Sequence, residues 1–285
     1  MWPVLCELER GPAVTGWHGM VGGLLLGVAW SLNWLLPGPR THVLFFPLWL
    51  GYILVVDALV LRRTGSSPLT RSPRDFAMLF VISVPVWWLF EAINWRTGNW
   101  RYLGRELFSD LEYGFFASLG FSTVMPAVFV TAELVGSLGW LGRFAHGPRV
   151  PVTSRVCAGL FLAGCAMLSL LLVLPRYFYP FVWISVLCLV EPLNVWLGKR
   201  SILTRLQHGD WRPVTALGTG ALTCGFFWEM WNYFSYPKWV YHLPGVGFWP
   251  LFEMPFLGYL GYLPFGLELY VLAHLVWRRA PELWI

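Results

Sequence analysis

Apolar residues in this chain fall in long stretches divided by short, arginine-bearing connections. A window of about 19 residues, the length that crosses a bilayer as a helix, picks out stretches near residues 17–36, 43–61, 76–95, 111–138, 155–174, 177–198, 213–234 and 251–277. The pattern predicts an all-α membrane protein of about eight transmembrane helices. Basic residues alternate between the connections. Arg62, Arg63, Arg71 and Arg74 follow the second stretch, Arg143, Arg149 and Arg155 the fourth, Lys199, Arg200, Arg205 and Arg212 the sixth, and Arg278 and Arg279 the last. The intervening connections are poorer in basic residues, or offset them with Glu106, Asp110 and Glu112. Because Lys and Arg accumulate on the cytoplasmic side, both termini are expected there, in a bacterial inner membrane or its equivalent.

Composition narrows the class further. The 285 residues are 57% apolar and 12% charged, against roughly 25% charged in soluble domains, so water is not the main solvent. The net charge of +5 follows from the loop arginines and needs no nucleic-acid partner. A basic patch for anionic lipid accounts for it equally well. Nineteen tryptophans imply bilayer-interface belts, pockets for bulky apolar ligands, or both. Residues 1–16 carry Glu7, Glu9 and Arg10 ahead of the first apolar stretch, which argues against a removable leader. Cys6, Cys157, Cys165, Cys188 and Cys224 show no CxxC spacing and are expected as packing residues.

The chain repeats itself. Ser67-Pro-Leu-Thr-Arg71 returns as Ser201-Ile-Leu-Thr-Arg205, and the same offset carries Asp57 onto Glu191. Glu91-Ala-Ile-Asn94 with Trp100-Arg-Tyr102 returns as Glu229-Met-Trp-Asn232 with Trp239-Val-Tyr241. Glu112, Leu119-Gly120 and Pro126 then align with Glu253, Leu260-Gly261 and Pro264. This predicts two tandem four-helix repeats, residues 1–142 and 143–285. An even number of spans preserves orientation, so a pseudo-two-fold axis along the membrane normal is expected, with a site between the halves.

Glu and Asn three residues apart share a helix face, so each half presents an acid beside an amide. A carboxylate at a helix centre costs roughly 2.5–3.5 kcal/mol to insert, and something must offset that cost. One reading is interfacial hydrogen bonding that holds the Trp-x-Tyr segment. The other is a general acid, because a carboxyl in a dry pocket can keep a proton to donate. Asp57 and Glu191, near the cytoplasmic ends of their helices, are weaker candidates that could pair with Arg62 or Lys199. The six histidines lack the close helical spacing of metal sites, and no dinucleotide, phosphate-loop or nucleophile-elbow motif is present. No metal or cofactor is therefore expected.

The stretch Trp228-Glu229-Met-Trp-Asn232, Trp239-Val-Tyr241, Gly245-Val-Gly247 and Pro250-Leu-Phe-Glu253 resembles the repeated domain of the integral-membrane lycopene cyclases of bacteria, archaea and fungi. The first half is similar through Glu91, Asn94, Trp100, Tyr102 and Glu112. Membrane carotenoid hydratases and membrane-bound terpene cyclases with a Trp-Glu motif look like related designs. Where the family has paired acids after Pro, this chain has Phe252-Glu253, and its first half has Asp110-Leu-Glu112 without the Pro. The resemblance implies a cofactor-independent, proton-initiated reaction on a lipophilic isoprenoid, with cyclisation, hydration and isomerisation all open. Glu91, Glu229, Glu112 and Glu253 are then expected as acids and bases, and Asn94 and Asn232 as their orienting amides. Trp88, Trp100, Tyr102, Trp228, Trp239 and Tyr241 are expected as pocket walls whose faces stabilise a cation. Two alternatives stand beside this: a small-molecule or proton-coupled transporter with an inter-repeat site, or a non-catalytic lipid-binding membrane subunit. Pro85, Pro192 and Pro213 are the nearest candidates for the broken helices that a transporter would use.

Overall fold

The computed structural model describes residues 16–283; the segment judged to lack a removable leader, with Cys6, lies outside them. The chain is an all-α membrane protein with very little sheet. Its helices are α1 (Trp17–Leu35), α2 (Thr41–Thr64), α3 (Pro68–Arg71), α4 (Pro73–Thr97), α5 (Asp110–Phe121), α6 (Val124–Gly136), α7 (Ser154–Val173), α8 (Pro175–Phe178), α9 (Val182–Trp196), α10 (Ile202–Gln207), α11 (Arg212–Tyr233) and α12 (Tyr262–Val276). Two short ribbons pair β1 (Trp100–Leu103) with β2 (Lys238–Tyr241), and β3 (Pro250–Leu251) with β4 (Met254–Pro255).

Six helical stretches among the described residues are long and apolar enough to cross a membrane: Thr41–Thr64, Pro73–Thr97, Asp110–Gly136, Ser154–Val173, Pro175–Trp196 and Phe256–Val276. Thr41–Thr64 has 24 residues, about 36 Å at 1.5 Å per residue, against a hydrocarbon core of about 30 Å. The sequence reading counts two more spans, at α1 and α11. Both are helical, but His18 and Asn33 in α1 and Glu229 and Asn232 in α11 lower their apolarity, so length and composition support six. Local chemistry sets the helix ends. Ser72 caps α4 ahead of Pro73, and Gly98 closes it in the left-handed conformation at φ 65° that glycine adopts without Cβ strain. The helices α2, α4 and α9 run continuously through Pro47, Pro85 and Pro192, and Pro213 sits in the first turn of α11. None of these prolines breaks a helix.

One end of the bundle gathers the basic connections. Arg71 grips Glu133 with two bonds of 2.6 Å, Arg205 and Arg212 share Asp210, and Arg200 meets Glu282 at 3.0 Å. Here the structure corrects one expectation. Asp57 and Glu191 pair with neither Arg62 nor Lys199; each instead holds the start of the next short helix. Asp57 accepts from Ser67 Oγ (2.7 Å) and Leu69 N (3.1 Å), with His18 Nε2 at 3.1 Å. Glu191 accepts from Ser201 Oγ (2.5 Å) and Leu203 N (2.6 Å). The repeated Ser-x-Leu-Thr sequence is thus the partner of the repeated acid.

Small residues bring helix backbones together in the buried core. A Cβ on Gly220 of α11 would stand 2.8 Å from Ala132 N of α6, and one on Gly51 of α2 would stand 2.5 Å from Leu26 N of α1. Gly23 has nothing within 4 Å of the same position. Gly220→Leu is therefore expected to destabilise the protein by roughly 1–3 kcal/mol, as overpacked cores do. Gly23→Leu should leave thermal unfolding in detergent unchanged, and equal melting of the two variants would contradict this packing.

Candidate functional site

At the end of the bundle away from the basic connections, the two Trp-x-Tyr segments meet. They form an antiparallel ribbon in which Trp100 faces Tyr241 and Tyr102 faces Trp239. Each strand is fastened from its own half by the amide that precedes it. Asn94 donates to Trp100 O (2.8 Å) and accepts from Trp100 N (3.2 Å). Asn232 donates to Trp239 O (2.7 Å) and accepts from Trp239 N (2.9 Å). The strand backbones obtain internal partners from these side chains.

One helical turn earlier stand the two acids, Glu91 at 3% exposure and Glu229 at 0%. Glu91 Oε1 receives Trp87 Nε1 (3.0 Å), Trp100 Nε1 (3.0 Å) and Tyr102 OH (2.5 Å). Glu229 Oε1 receives Tyr241 OH (2.7 Å), Tyr262 OH (2.7 Å) and, at 3.5 Å, Trp239 Nε1. In both carboxyls one oxygen collects three donors, while the other receives none from the described residues. Glu229 Oε2 is sealed from solvent as well. Burial, reinforced by the adjoining glutamates, pushes the Tyr102 and Tyr241 phenols well above their ordinary value, so both hydroxyls stay protonated and act as donors.

The two sites differ in how the third donor is supplied. Trp87 lies four residues before Glu91, and the corresponding residue before Glu229 is Gly225. A Cβ on Gly225 would overlap the Tyr262 ring. The missing side chain makes room for Tyr262, which reaches in from α12 to take the place of the indole.

Against this ribbon lies an apolar cavity of about 190 Å³. Trp87, Trp100, Tyr102, Trp183, Trp228, Trp239, Tyr241, Tyr262 and Phe265 form its aromatic wall. The structure therefore brings Trp100, Tyr102, Trp228, Trp239 and Tyr241 together as expected wall residues, but it moves others. Trp88 is not part of the wall; its indole donates to Ser118 Oγ at 3.0 Å, and its neighbour Trp87 takes the position. Glu91 and Glu229 stand behind the wall, touching the ligand space only through their tyrosine and tryptophan donors. Glu112 is exposed and caps its own helix through Ser109, so it is no acid partner for Glu91. Glu253 forms an ion pair with Lys238, and a carboxylate held by an ammonium is poorly placed to donate or take a proton.

Trp183, Tyr262 and Trp87 escaped the sequence reading. Trp183 carried a signal, since the offset that relates Asp57 to Glu191 also relates Trp49 to Trp183. Tyr262 follows Leu260-Gly261 as Phe121 follows Leu119-Gly120, and only its hydroxyl departs from the repeat. Among the described residues no three His, Cys, Asp or Glu side chains group as metal ligands. The site belongs to a class defined by its parts: an aromatic pocket of a helical membrane protein, backed by two buried, hydrogen-bonded carboxyls. No family model, curated protein or solved structure matches the chain.

Asn232→Leu removes the side-chain partner of the part-buried N–H and C=O of Trp239, a loss of about 0.5–1.5 kcal/mol for each hydrogen bond. The expected outcome is faster amide hydrogen exchange across 238–241 with the helices still protected; unchanged exchange there would show that the amide does not hold the strand.

Proposed function

We propose that the protein is an integral-membrane, cofactor-independent enzyme that modifies an isoprenoid or carotenoid by proton-initiated carbocation chemistry, in the manner of a cyclase. The observation that carries this reading is the shared arrangement at Glu91 and Glu229: a dry carboxyl with three donors on one oxygen and none on the other. Such a carboxyl suits both stages of acid catalysis. As a neutral acid it keeps its proton on the unpartnered oxygen. As the anion left after donation it already has preorganised donors in a water-poor setting, where they are worth most.

The proton reaches the cavity by relay through a phenol that both touches the carboxyl and lines the pocket: the phenol gives up its own O–H proton and recovers one from the carboxyl O–H, which turns toward it, with Tyr241 and Tyr262 serving Glu229 and Tyr102 serving Glu91. It adds to a terminal carbon–carbon double bond, leaving a cation on the neighbouring carbon. A second double bond supplies the electron pair that closes the ring, and a proton lost from the adjacent carbon returns to the site, so the product has the mass of the substrate. Indole and phenol faces stabilise the cation by about 0.5–2 kcal/mol each. Capture of the cation by water would give a hydratase instead.

Eight spans arranged as two four-helix repeats, residues 1–142 and 143–285, accompany this reading. The support is the matching hydrogen bonds of Glu91 and Glu229, of Asn94 and Asn232, and of Asp57 and Glu191. By the distribution of arginine, the basic end and both termini lie in the cytoplasm and the ribbon lies on the opposite face of a bacterial inner membrane or its equivalent. A second reading, a subunit that only holds an isoprenoid or membrane lipid, is favoured by the absence of any carboxylate from the cavity lining among the described residues. Uninterrupted helices weigh against the transporter.

Expression in cells that accumulate a linear carotenoid separates these readings. The enzyme is expected to yield a product of equal mass or one gaining water, and Glu229→Gln should lower its formation by at least about a hundredfold, the contribution typical of a general acid. Glu112→Gln should leave it unchanged. Bound but unaltered carotenoid with the wild-type protein would favour the binding subunit, and full turnover by Glu229→Gln would remove the acid from the scheme.

A further inference from the structure

The cavity is not apolar throughout. Beyond the aromatic wall it is also lined by His42, Arg105, Tyr113 and Lys238. The His42 ring packs edge-on against Phe108 and Phe116, with centroids 4.9 and 4.8 Å away, and Phe108 and Phe116 line the same space. Neither imidazole nitrogen has a hydrogen-bond partner among the described residues, and Nδ1 is sealed from solvent. The Tyr113 hydroxyl likewise has none, while the Arg105 guanidinium lies 4.2 Å from the centre of its ring. His42 Nε2 and the Tyr113 hydroxyl, by contrast, are not sealed, and at one end of a pocket they stand open to a partner from the ligand.

The charges at this end say what kind of partner. Arg105 is engaged by Asp110 and by Phe108 O at 2.7 Å. Lys238 is engaged by Glu253 and by Tyr233 O at 3.2 Å. Two cations and two carboxylates leave no excess positive charge, and an anionic head would have to displace or face both carboxylates. An imidazole nitrogen and a phenol together offer one acceptor and one donor, which matches a hydroxyl and can also serve a carbonyl.

We infer that the cavity takes an isoprenoid bearing an uncharged oxygen at one end, a hydroxyl or carbonyl held by His42 and Tyr113, with its hydrocarbon chain lying along the tryptophan and tyrosine wall. This rests on the cavity being the ligand site of the proposed function, and it narrows that substrate from isoprenoids in general to oxygenated, uncharged ones. His42 thereby becomes a specificity residue that bonds to neither acid and takes no part in proton transfer.

The five wall tryptophans provide a readout independent of turnover. All-trans-retinol bound to the purified full-length protein in nanodiscs is expected to quench their emission. Geranylgeraniol, geranylgeranyl diphosphate and a hydrocarbon of the same chain length then compete for the site. The alcohol is expected to compete roughly tenfold better than the hydrocarbon, the worth of one well-made hydrogen bond in a dry site. His42→Phe, whose ring fits beside Phe108 and Phe116, should erase that advantage without weakening the hydrocarbon, and His42→Gln should retain most of it. A diphosphate that binds as tightly as the alcohol, or an alcohol advantage that survives His42→Phe, would overturn the assignment while leaving the proposed chemistry intact. Failure of every probe to bind would overturn both.

Discussion

A carboxyl group in the interior of a membrane protein must find hydrogen-bond donors, because neither lipid nor packed side chains replace the water it has left. Much of this structure arranges those donors. Glu91 and Glu229 obtain them from the Trp-x-Tyr strands, which are in turn held in place by Asn94 and Asn232, three residues further along the same helices. The ribbon thus satisfies the acids and the amides satisfy the ribbon. Asp57 and Glu191 solve the same problem at the opposite end by binding a serine hydroxyl and a backbone N–H at the start of the following short helix. The cavity takes most of its aromatic wall from the side chains that serve the acids.

Glu91 and Glu229 each collect three donors on one oxygen by different routes. Glu91 draws its third donor from Trp87 on its own helix. Glu229 lacks that residue, and Gly225 leaves the space through which Tyr262 enters from α12. Its donors are therefore two phenols and a distant indole, against two indoles and one phenol for Glu91. The Glu229 site has more hydroxyls able to pass a proton, and its second oxygen is fully sealed. This asymmetry is the reason the proposed chemistry is tested at Glu229.

Much of the helical architecture was legible in the order of residues, because apolar stretches of about 20 residues have few alternatives to a membrane helix. The motif Glu-x-x-Asn followed by Trp-x-Tyr was legible as well, since an acid and an amide on one helix face signal a polar cluster. The pairing of the two Trp-x-Tyr segments as strands was not, because four residues between a helix and a loop carry no period of their own. The roles of Glu112 and Glu253 were misread for a related reason. Both follow the motif at similar spacing, but whether a carboxylate caps a helix, meets a lysine or faces a cavity depends on neighbours that the spacing does not encode. Tyr262 and His42 are long-range partners and became visible only when α12 and α2 were placed beside the ribbon.

The central claim is that Glu229 rests as a neutral acid behind the aromatic wall. Infrared difference spectroscopy of the wild-type protein against Glu229→Gln in nanodiscs at neutral pH tests it most directly. The account predicts a protonated-carboxyl C=O stretch that is present in the wild type and lost in the variant. A carboxylate band lost in its place would contradict it.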